Sequence, residues 1–305
     1  MGNGLIKVKK KAKVRDTITS YLFIVPVLLG IALFTLIPMG SSLIYSFTEY
    51  RTVDTNPSYF VGLSHYITAF TDDWGNVGNA LWRTFVYSFI SIPLSLVLSF
   101  IVALLLVRDT KGIKIYRTLI YLPVLLPAVV SGLLWADILD YYKGVVNMLL
   151  TTMGFERYGF YTMPDTALPT FIGTSLFGIG GGMILWIAQM KTIPDALTEA
   201  ARIEGAGYFT RLFKIVIPMC TPMIFYNLVL NIIGALQVFT SAIMVATGGS
   251  GNSLSFMAVY IYNTLTQGWN MGYACALSWL LFLIIGILTV IVFSTSKWVY
   301  YGDGN

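Results

Sequence analysis

The sequence predicts an all-α polytopic membrane protein with six transmembrane helices, and two observations predict this class. Only 11% of the 305 residues are charged, whereas soluble globular proteins have about 25%, and the mean hydropathy is +0.75. The apolar residues are concentrated in runs that approach or exceed the roughly 20 residues needed to cross a bilayer. A soluble enzyme, a secreted disulfide scaffold and a disordered chain are therefore excluded.

The predicted spans divide the chain into three parts. A basic N-terminal segment (residues 1–18) precedes a six-helix transmembrane domain (19–299), and a short tail (300–305) follows. Prolines fall inside several of the spans, so we expect kinked helices. The predicted spans are residues 19–47, 81–107, 115–139, 168–190, 215–245 and 273–299.

The distribution of Lys and Arg predicts the orientation of these spans, because positive residues are enriched in cytoplasmic loops. One side of the predicted membrane carries Arg51, Arg83, Lys143 and Arg157, and the rest of the 19 Lys and Arg residues lie on the other side. Both termini are therefore expected in the cytoplasm. The Lys cluster of the N-terminal segment has a second interpretation, which is contact with anionic membrane lipid or with a partner.

The predicted spans contain few groups that could carry out chemistry. Asp137, near the outer end of span three, is the only acidic residue within a span, and the only histidine, His65, falls in a predicted loop. Ion-coupled carriers usually place carboxylates within the membrane, and an enzyme needs positioned acids, bases or metal ligands. We therefore expect no catalytic residue, no metal site and no cofactor in this chain.

The chain also lacks a sequence for binding nucleotide phosphates. No GxxxxGK[ST] pattern occurs, so ATP hydrolysis by a P-loop is not expected. The glycine-rich run 178–182 contains no Lys and lies within predicted span four. We expect it to produce close helix packing or a local break in the helix.

The loop of residues 191–214, between the fourth and fifth predicted spans, is the most specific feature of the sequence. Thr192 is expected to cap a helix, and Gly205 and Gly207 are expected to turn the chain with positive φ. A second short helix is expected over residues 208–214. The prediction is a helix–turn–helix elbow in the cytoplasm.

Fixed spacings within and after this loop resemble a known motif. The pattern is Glu-Ala-Ala, three residues, Gly, nine residues, Ile, one residue, an aliphatic residue and Pro. Its positions are Glu199, Ala200, Ala201, Gly205, Ile215, Ile217 and Pro218. This resembles the EAA loop of the permease subunits of ABC importers, in which Leu is usual where Ile217 stands. The alternative is an ordinary interfacial loop with an internal ion pair between Glu199 and Arg202.

A second resemblance indicates a branch of that family. Residues 236–239, 247–249, 260–262 and 271–277 are similar to carbohydrate-uptake permeases of the maltose-transporter first-permease type. The resemblance covers most of the chain from about residue 21 onward. Ser250 departs from it, because Pro often follows the paired glycines in that family.

The resemblance implies a permease subunit of a binding-protein-dependent importer in the bacterial inner membrane, not an enzyme. Such a subunit would pass a carbohydrate, an oligosaccharide or related glycan, into the cytoplasm. It would pair with a second permease as a heterodimer, with two ATPase subunits that bind ATP and Mg, and with an extracytoplasmic binding protein. Nucleic acid is not an expected partner. The resemblance assigns contact with the ATPase to Glu199, Ala200, Ala201, Gly205 and Pro218. A secondary sugar carrier and a membrane enzyme acting on glycans remain as alternatives.

A polar stripe in predicted span five is the candidate substrate path. Its residues recur at spacings of three and four and so are expected on one helical face. They are Asn227, Asn231, Gly234, Gln237 and Ser241. Amides can donate to and accept from sugar hydroxyls, whereas hydrogen bonding between helices is the structural alternative. Trp135 and Tyr121, on span three, are candidates for a stacking face.

Overall fold

A computed structural model describes residues 21–51, 59–246 and 253–299, and these residues are mostly helical. One pair of two-residue antiparallel strands, Thr48–Glu49 with Tyr59–Phe60, is also present. The predicted N-terminal segment 1–18, the glycines and Ser250 of the 247–250 segment, and the tail 300–305 lie outside the described residues. The predicted all-α membrane class is confirmed.

Four helices in the described part of the chain are long and apolar enough to cross a membrane. Two further helix pairs reach that length only if each pair is counted as one bent span. The four spans are Tyr21–Tyr45, Trp74–Leu106, Thr221–Ala246 and Met271–Ser294, of which Thr221–Ala246 is interrupted at residues 237–239. The bent pairs are Ile113–Leu125 with Ala128–Ile138 and Pro164–Gly178 with Gly180–Met190. The described residues thus contain four to six spans, and the predicted count of six remains a prediction.

The two bends have identifiable local causes. The first pair bends by 98° at Leu126, which is extended with φ −74° and ψ 131° because it precedes Pro127. The second pair bends by 45° at the glycine-rich run. A Cβ at Gly180 would overlap the carbonyl oxygen of Ile120, so this glycine also permits a close approach between the two pairs. Both expected roles of the run, packing and a local break, are found.

Shorter helices occupy several connections between the spans. They are Ser64–Phe70, Val145–Thr152, Asp195–Ile203, Tyr208–Arg211 and Met257–Thr266. His65, predicted in a loop, lies in the first of these helices and is 5% exposed. Its Nε2 atom is 3.1 Å from the carbonyl oxygen of Thr48. This tertiary contact orders a segment that has no long apolar run.

By their internal contacts the residues form two compact units. The first unit comprises residues 1–67 and 264–279. Within its described part, the indole N–H of Trp279 donates to Ser42 Oγ at 3.2 Å, and the backbone N–H of Gly272 donates to the carbonyl oxygen of Tyr50 at 3.1 Å. These bonds tie the start of helix Met271–Ser294 to the end of helix Tyr21–Tyr45.

The second unit comprises residues 68–263 and 280–305. Helix Trp74–Leu106 packs there against Gly180–Met190 and Thr221–Leu236. The buried indole N–H of Trp186 donates to Ser99 Oγ at 3.0 Å. Because lipid tails are as apolar as the helix surfaces, close packing and such hydrogen bonds hold membrane helices together. The buried cluster around Trp186 lies directly before the 191–214 loop.

Candidate functional site

Helix Asp195–Ile203, called the loop helix below, carries the Glu-Ala-Ala residues. Its N-cap is Pro194, and no side chain caps it. Thr192 Oγ1 instead donates to the carbonyl oxygen of Gln189 at 2.7 Å. The predicted cap at Thr192 is therefore wrong. Its hydroxyl therefore bonds back to the last turn of the preceding helix, Gly180–Met190, where the N–H of Thr192 also donates to the carbonyl oxygen of Gln189.

Gly205 ends the loop helix with φ 85°. The N–H of Gly205 donates to the carbonyl oxygen of Arg202 at 3.1 Å, and the N–H of Ala206 donates to that of Ala201 at 2.8 Å. These two bonds form a Schellman motif, which places glycine at the left-handed position. Positive φ at Gly205 is confirmed. The same prediction for Gly207 is wrong, because Gly207 is extended with φ −67° and ψ 170° and one left-handed residue is enough for this turn.

The chain re-enters the apolar region through a helix that changes its hydrogen-bond pattern. The expected helix over 208–214 is α-helical at Tyr208–Arg211 and continues as a π-turn at Leu212–Val216. Pro218 follows in the short helix Ile217–Met219. Proline has no N–H to continue the α pattern, and the N–H of Ile217, just before it, donates to the carbonyl oxygen of Leu212.

The exposed surface of the 191–214 loop combines charged side chains with large apolar and small ones. Its exposed large apolar residues are Leu197, Ile203, Tyr208, Phe209 and Phe213, with Ile203 87% exposed. Glu199 is exposed, and it forms no ion pair with any described residue, so the alternative pair with Arg202 is absent from the described part of the chain. The small side chains of Ala200 and Ala201 leave room for another surface to approach closely.

Asp109 connects the beginning of this loop to two other segments. Its carboxylate accepts from Lys191 Nζ at 2.7 Å and from Arg117 at 3.0 Å. The hydrogen bond from Lys191, followed by that from Arg117, lowers the pKa of Asp109 below its ordinary value. Arg117 also donates to the carbonyl oxygen of Leu106, with a shortest distance of 2.6 Å, and so caps the end of helix Trp74–Leu106. This cluster could not be predicted from local sequence, because Lys191 is 82 residues from Asp109.

Two of the predicted path residues, Trp135 and Ser241, line one cavity of about 390 Å³, called the Trp135 cavity. Phe177, which the sequence analysis did not identify, lines it too and packs edge-on against Trp135 with ring centroids 5.2 Å apart. Hydroxyls of Ser131, Thr174 and Ser175 contribute polar groups, and the lining contains no charged side chain.

Asn231 and Gly234 line a second cavity of about 180 Å³, called the Asn231 cavity. Its other polar lining residues are Tyr87, Ser91, Ser95 and Ser175, and again no charged side chain takes part. Ser175 lines both cavities, so they are neighbours. Gln237 and Tyr121 belong to neither lining.

The predicted single helical face of the polar stripe is wrong. Helix Thr221–Leu236 ends before Gln237, which has φ −103° and ψ 17°, and Ser241 lies on the separate helix Thr240–Ala246. That second helix packs against Ala128–Ile138, where Gly132 allows the approach: a Cβ there would lie 2.9 Å from Met244. Neither Gly nor Pro interrupts residues 235–241, so no local signal predicted the break.

Two asparagines of the stripe bond to their own helix. Nδ2 of Asn227 donates to the carbonyl oxygen of Met223 at 3.0 Å, and Nδ2 of Asn231 donates to that of Asn227 at 2.8 Å. Asn227 is 5% exposed and outside both cavity linings, which favours the structural alternative for this residue.

Across the described residues, no three His, Cys, Asp or Glu side chains are grouped so that they could hold a metal ion.

The fold and the site define a class of protein. A multi-pass helical membrane chain that exposes a helix–turn–helix loop and has uncharged cavities with some serine and threonine side chains in their linings has the features of a membrane component of a transport system. Residues 73–300 match the family model described as "Binding-protein-dependent transport system inner membrane component". This match covers more than half of the chain, and the chain therefore belongs to that family.

Similarity to known permeases extends over nearly the whole chain. This chain is 37% identical over 306 residues to the "Probable ABC transporter permease protein YesP" of Bacillus subtilis, and the match covers 98% of each chain. It is 30% identical to the "Diacetylchitobiose uptake system permease protein NgcF" of Streptomyces coelicolor, covering 95% of this chain and 86% of the relative. The predicted resemblance to ABC importer permeases is confirmed. This family assignment supports the permease interpretation over its two alternatives, the secondary sugar carrier and the membrane enzyme.

A solved structure shares the fold. One chain of a bacterial alginate ABC transporter, crystallised in complex with an alginate pentasaccharide-bound periplasmic protein, matches with a TM-score of 0.83. The likeness covers 94% of this chain and 96% of that chain at 22% sequence identity. At that identity, the likeness establishes the fold alone.

Proposed function

We propose that this chain is a permease subunit of an ABC importer that moves a carbohydrate, an oligosaccharide or related glycan, into the bacterial cytoplasm. Family membership supports the transport role, and the names of relatives such as the diacetylchitobiose uptake permease support the substrate class. The observation that carries the proposal is the exposed loop helix, which ends in a Schellman turn at Gly205 and presents Glu199 without an ion partner among the described residues.

ATP hydrolysis belongs to separate subunits in this proposal. The chain has no P-loop sequence, so ATP and Mg would bind to two partner ATPases, and this chain performs no catalysis. A second permease would complete a heterodimer, and an extracytoplasmic binding protein would deliver the sugar. The Lys and Arg distribution supports cytoplasmic termini, and the 191–214 loop would then lie on the ATPase side.

Coupling would begin at the loop helix. An ATPase surface that covers the small and apolar side chains around Ala200 and Ala201 would move the loop as the ATPase closes. The contacts of Asp109 with Lys191 and Arg117 link the start of the loop to the end of helix Trp74–Leu106. That helix is in turn joined to Gly180–Met190 by the hydrogen bond from Trp186 to Ser99. Movement of the loop would therefore reach the helices that border the cavities.

The Trp135 and Asn231 cavities would form this chain's part of the sugar path. Aromatic faces at Trp135 and Phe177 suit the apolar face of a sugar ring, and serine, threonine and asparagine side chains suit its hydroxyls. Because both linings lack charged side chains, this chain would recognise hydroxyls and not carboxylates. A neutral oligosaccharide is therefore the substrate class that the cavities favour.

The decisive experiment reconstitutes the chain with its partner permease, ATPases and binding protein in proteoliposomes. Uptake of a panel of neutral and uronate-containing oligosaccharides is measured with ATP inside and with an uncoupler present. We expect ATP-dependent uptake of a neutral oligosaccharide that the uncoupler leaves unchanged. Uptake abolished by the uncoupler while ATP stays high would instead indicate a secondary carrier. Uptake of uronates alone would contradict the assigned substrate class.

A further inference from the structure

A cavity of about 550 Å³ lies beside the loop helix, and the proposed transport role does not use it. It is called the Arg211 cavity below. Its apolar lining comprises Leu104, Leu105, Val107, Met190, Ile193, Leu212 and Val216, and its polar lining comprises Arg108, Asp195, Thr198, Tyr208 and Arg211. A cavity with one apolar part and one cationic part suits an amphipathic ligand.

Arg211 has an unsatisfied buried donor at this cavity. Its Nε atom is buried and has no hydrogen-bond partner among the described residues. Buried polar atoms in proteins are nearly always hydrogen-bonded, and an orphan donor is costly. Arg108, also in the lining, forms no ion pair with a described residue. The cavity thus has two guanidinium groups in its lining, and planar guanidinium groups are well suited to phosphate.

The other polar groups narrow the chemistry of the anion. The lining has two positive charges, at Arg108 and Arg211, and one negative charge, at Asp195. Because a carboxylate only accepts hydrogen bonds, a ligand in this cavity needs hydroxyl donors for Asp195 as well as an anionic group for the two arginines. Thr198 Oγ1 donates to the backbone oxygen of Asp195 at 2.9 Å, which leaves its oxygen able to accept a hydrogen bond. A phosphoglycerol group meets both requirements, since its phosphate is anionic and its glycerol hydroxyls are donors.

We propose that the Arg211 cavity binds the headgroup of an anionic phospholipid of the phosphatidylglycerol type. The phosphate lies between Arg108 and Arg211, and the apolar lining contacts the glycerol backbone and the start of an acyl chain. In the proposed orientation the cavity opens to the cytoplasmic leaflet, where basic pockets between membrane helices bind anionic headgroups. Because the loop helix supplies Asp195 and Thr198, the lipid would hold this helix at the membrane surface.

The test measures lipid retained by the full-length chain after extraction into detergent, by native mass spectrometry. Added phosphatidylglycerol is compared with phosphatidylcholine for the unaltered chain and for R211Q, R108Q and R202Q. Arg202, on the same loop but outside the cavity lining, is the matched control for the change of charge. We expect phosphatidylglycerol to be retained preferentially and R211Q to lose about tenfold in retention, as for one lost charge-assisted contact. R202Q should retain the lipid normally.

Several outcomes would overturn the proposal. Equal retention by R211Q and the unaltered chain would show that the cavity does not select the lipid, and equal retention of both lipids would remove the charge argument. Displacement of the lipid by inorganic phosphate alone would indicate a soluble anion. Absence of lipid from the assembled complex, with lipid present on the isolated chain, would show that a protein partner fills the cavity. Lipid retention requires neither sugar nor ATP, so its failure is distinguishable from failure of the transport proposal.

Discussion

The 191–214 loop and the polar stripe after Thr221 are both candidate functional regions, but they are built differently. The loop is ordered mainly by contacts within a few residues, such as the bonds that Gly205 and Ala206 donate to Arg202 and Ala201. The stripe is divided between two helices, and Asn231, Gly234 and Ser241 line cavities that form where these helices pack against distant segments. Local motifs can therefore be located from sequence, whereas cavity-lining residues depend on how helices bend and pack.

The largest effect is expected at Gly205, because the Schellman turn that ends the loop helix depends on this one left-handed residue. G205V places a β-branched residue at φ 85°, which costs roughly 1–2 kcal/mol or more and disrupts the Schellman turn. We expect loss of ATPase stimulation and of uptake in the reconstituted importer. The matched control is G207A, because Gly207 is extended and a Cβ there meets nothing within 4 Å. Equal loss in both variants would show that the left-handed residue is not the cause.

The next largest effect is expected at Glu199, which tests docking without changing the fold. Because Glu199 is exposed and forms no ion pair among the described residues, E199K should change the free energy of unfolding by no more than about 0.5 kcal/mol. Substrate-stimulated ATPase activity should fall about tenfold if the carboxylate meets a charged group of the partner. E204K, with the same charge change at the exposed end of the loop helix, is the control. Normal coupling in E199K would contradict the assignment of this residue to the ATPase contact.

A smaller effect is expected in the sugar path, where the same change, from an amide side chain to leucine, is made at two stripe residues. N231L removes an amide that lines the Asn231 cavity, and several-fold lower uptake with intact assembly is expected, since one lost hydrogen bond is worth about 0.5–1.5 kcal/mol. Q237L should have less effect, because Gln237 lies outside both cavity linings. Uptake kinetics and size-exclusion chromatography distinguish the two. If N231L prevents assembly, the residue is structural.

The smallest effect is expected at Asp109, the long-range contact of the loop. Its lowered pKa means that the folded chain favours the carboxylate, so the stabilisation is present at neutral pH and is lost as the pH falls through the lowered value. The difference in Tm between D109N and the unaltered chain should therefore be small and constant from pH 6 to 8, and should vanish well below the ordinary Asp pKa of about 3.9. R117Q, which also loses the cap on Leu106, should lower Tm further. A difference that grows as the pH falls would have the wrong sign.

Features set by neighbouring residues were predicted correctly more often than features set by contacts between distant segments. The helical membrane class, the family and the left-handed Gly205 were predicted correctly because composition, fixed spacing and backbone sterics act locally. The Thr192 cap was wrong because the preceding helix uses that hydroxyl. Phe177 and Ser175 were missed because nothing in their own neighbourhood marks them as lining a cavity.

Hydropathy and glycine sterics are properties of neighbouring residues. The amino-acid sequence alone was therefore enough to predict the membrane class, the apolar runs and the loop that carries the Glu-Ala-Ala pattern. Tertiary packing was needed to show that Ser175 lines two cavities and that Asp109 joins Lys191 to Arg117. Each of these depends on which segments meet across long sequence separations, and in a bilayer that choice is made by close packing at glycines such as Gly132 and Gly180 and by a few buried hydrogen bonds.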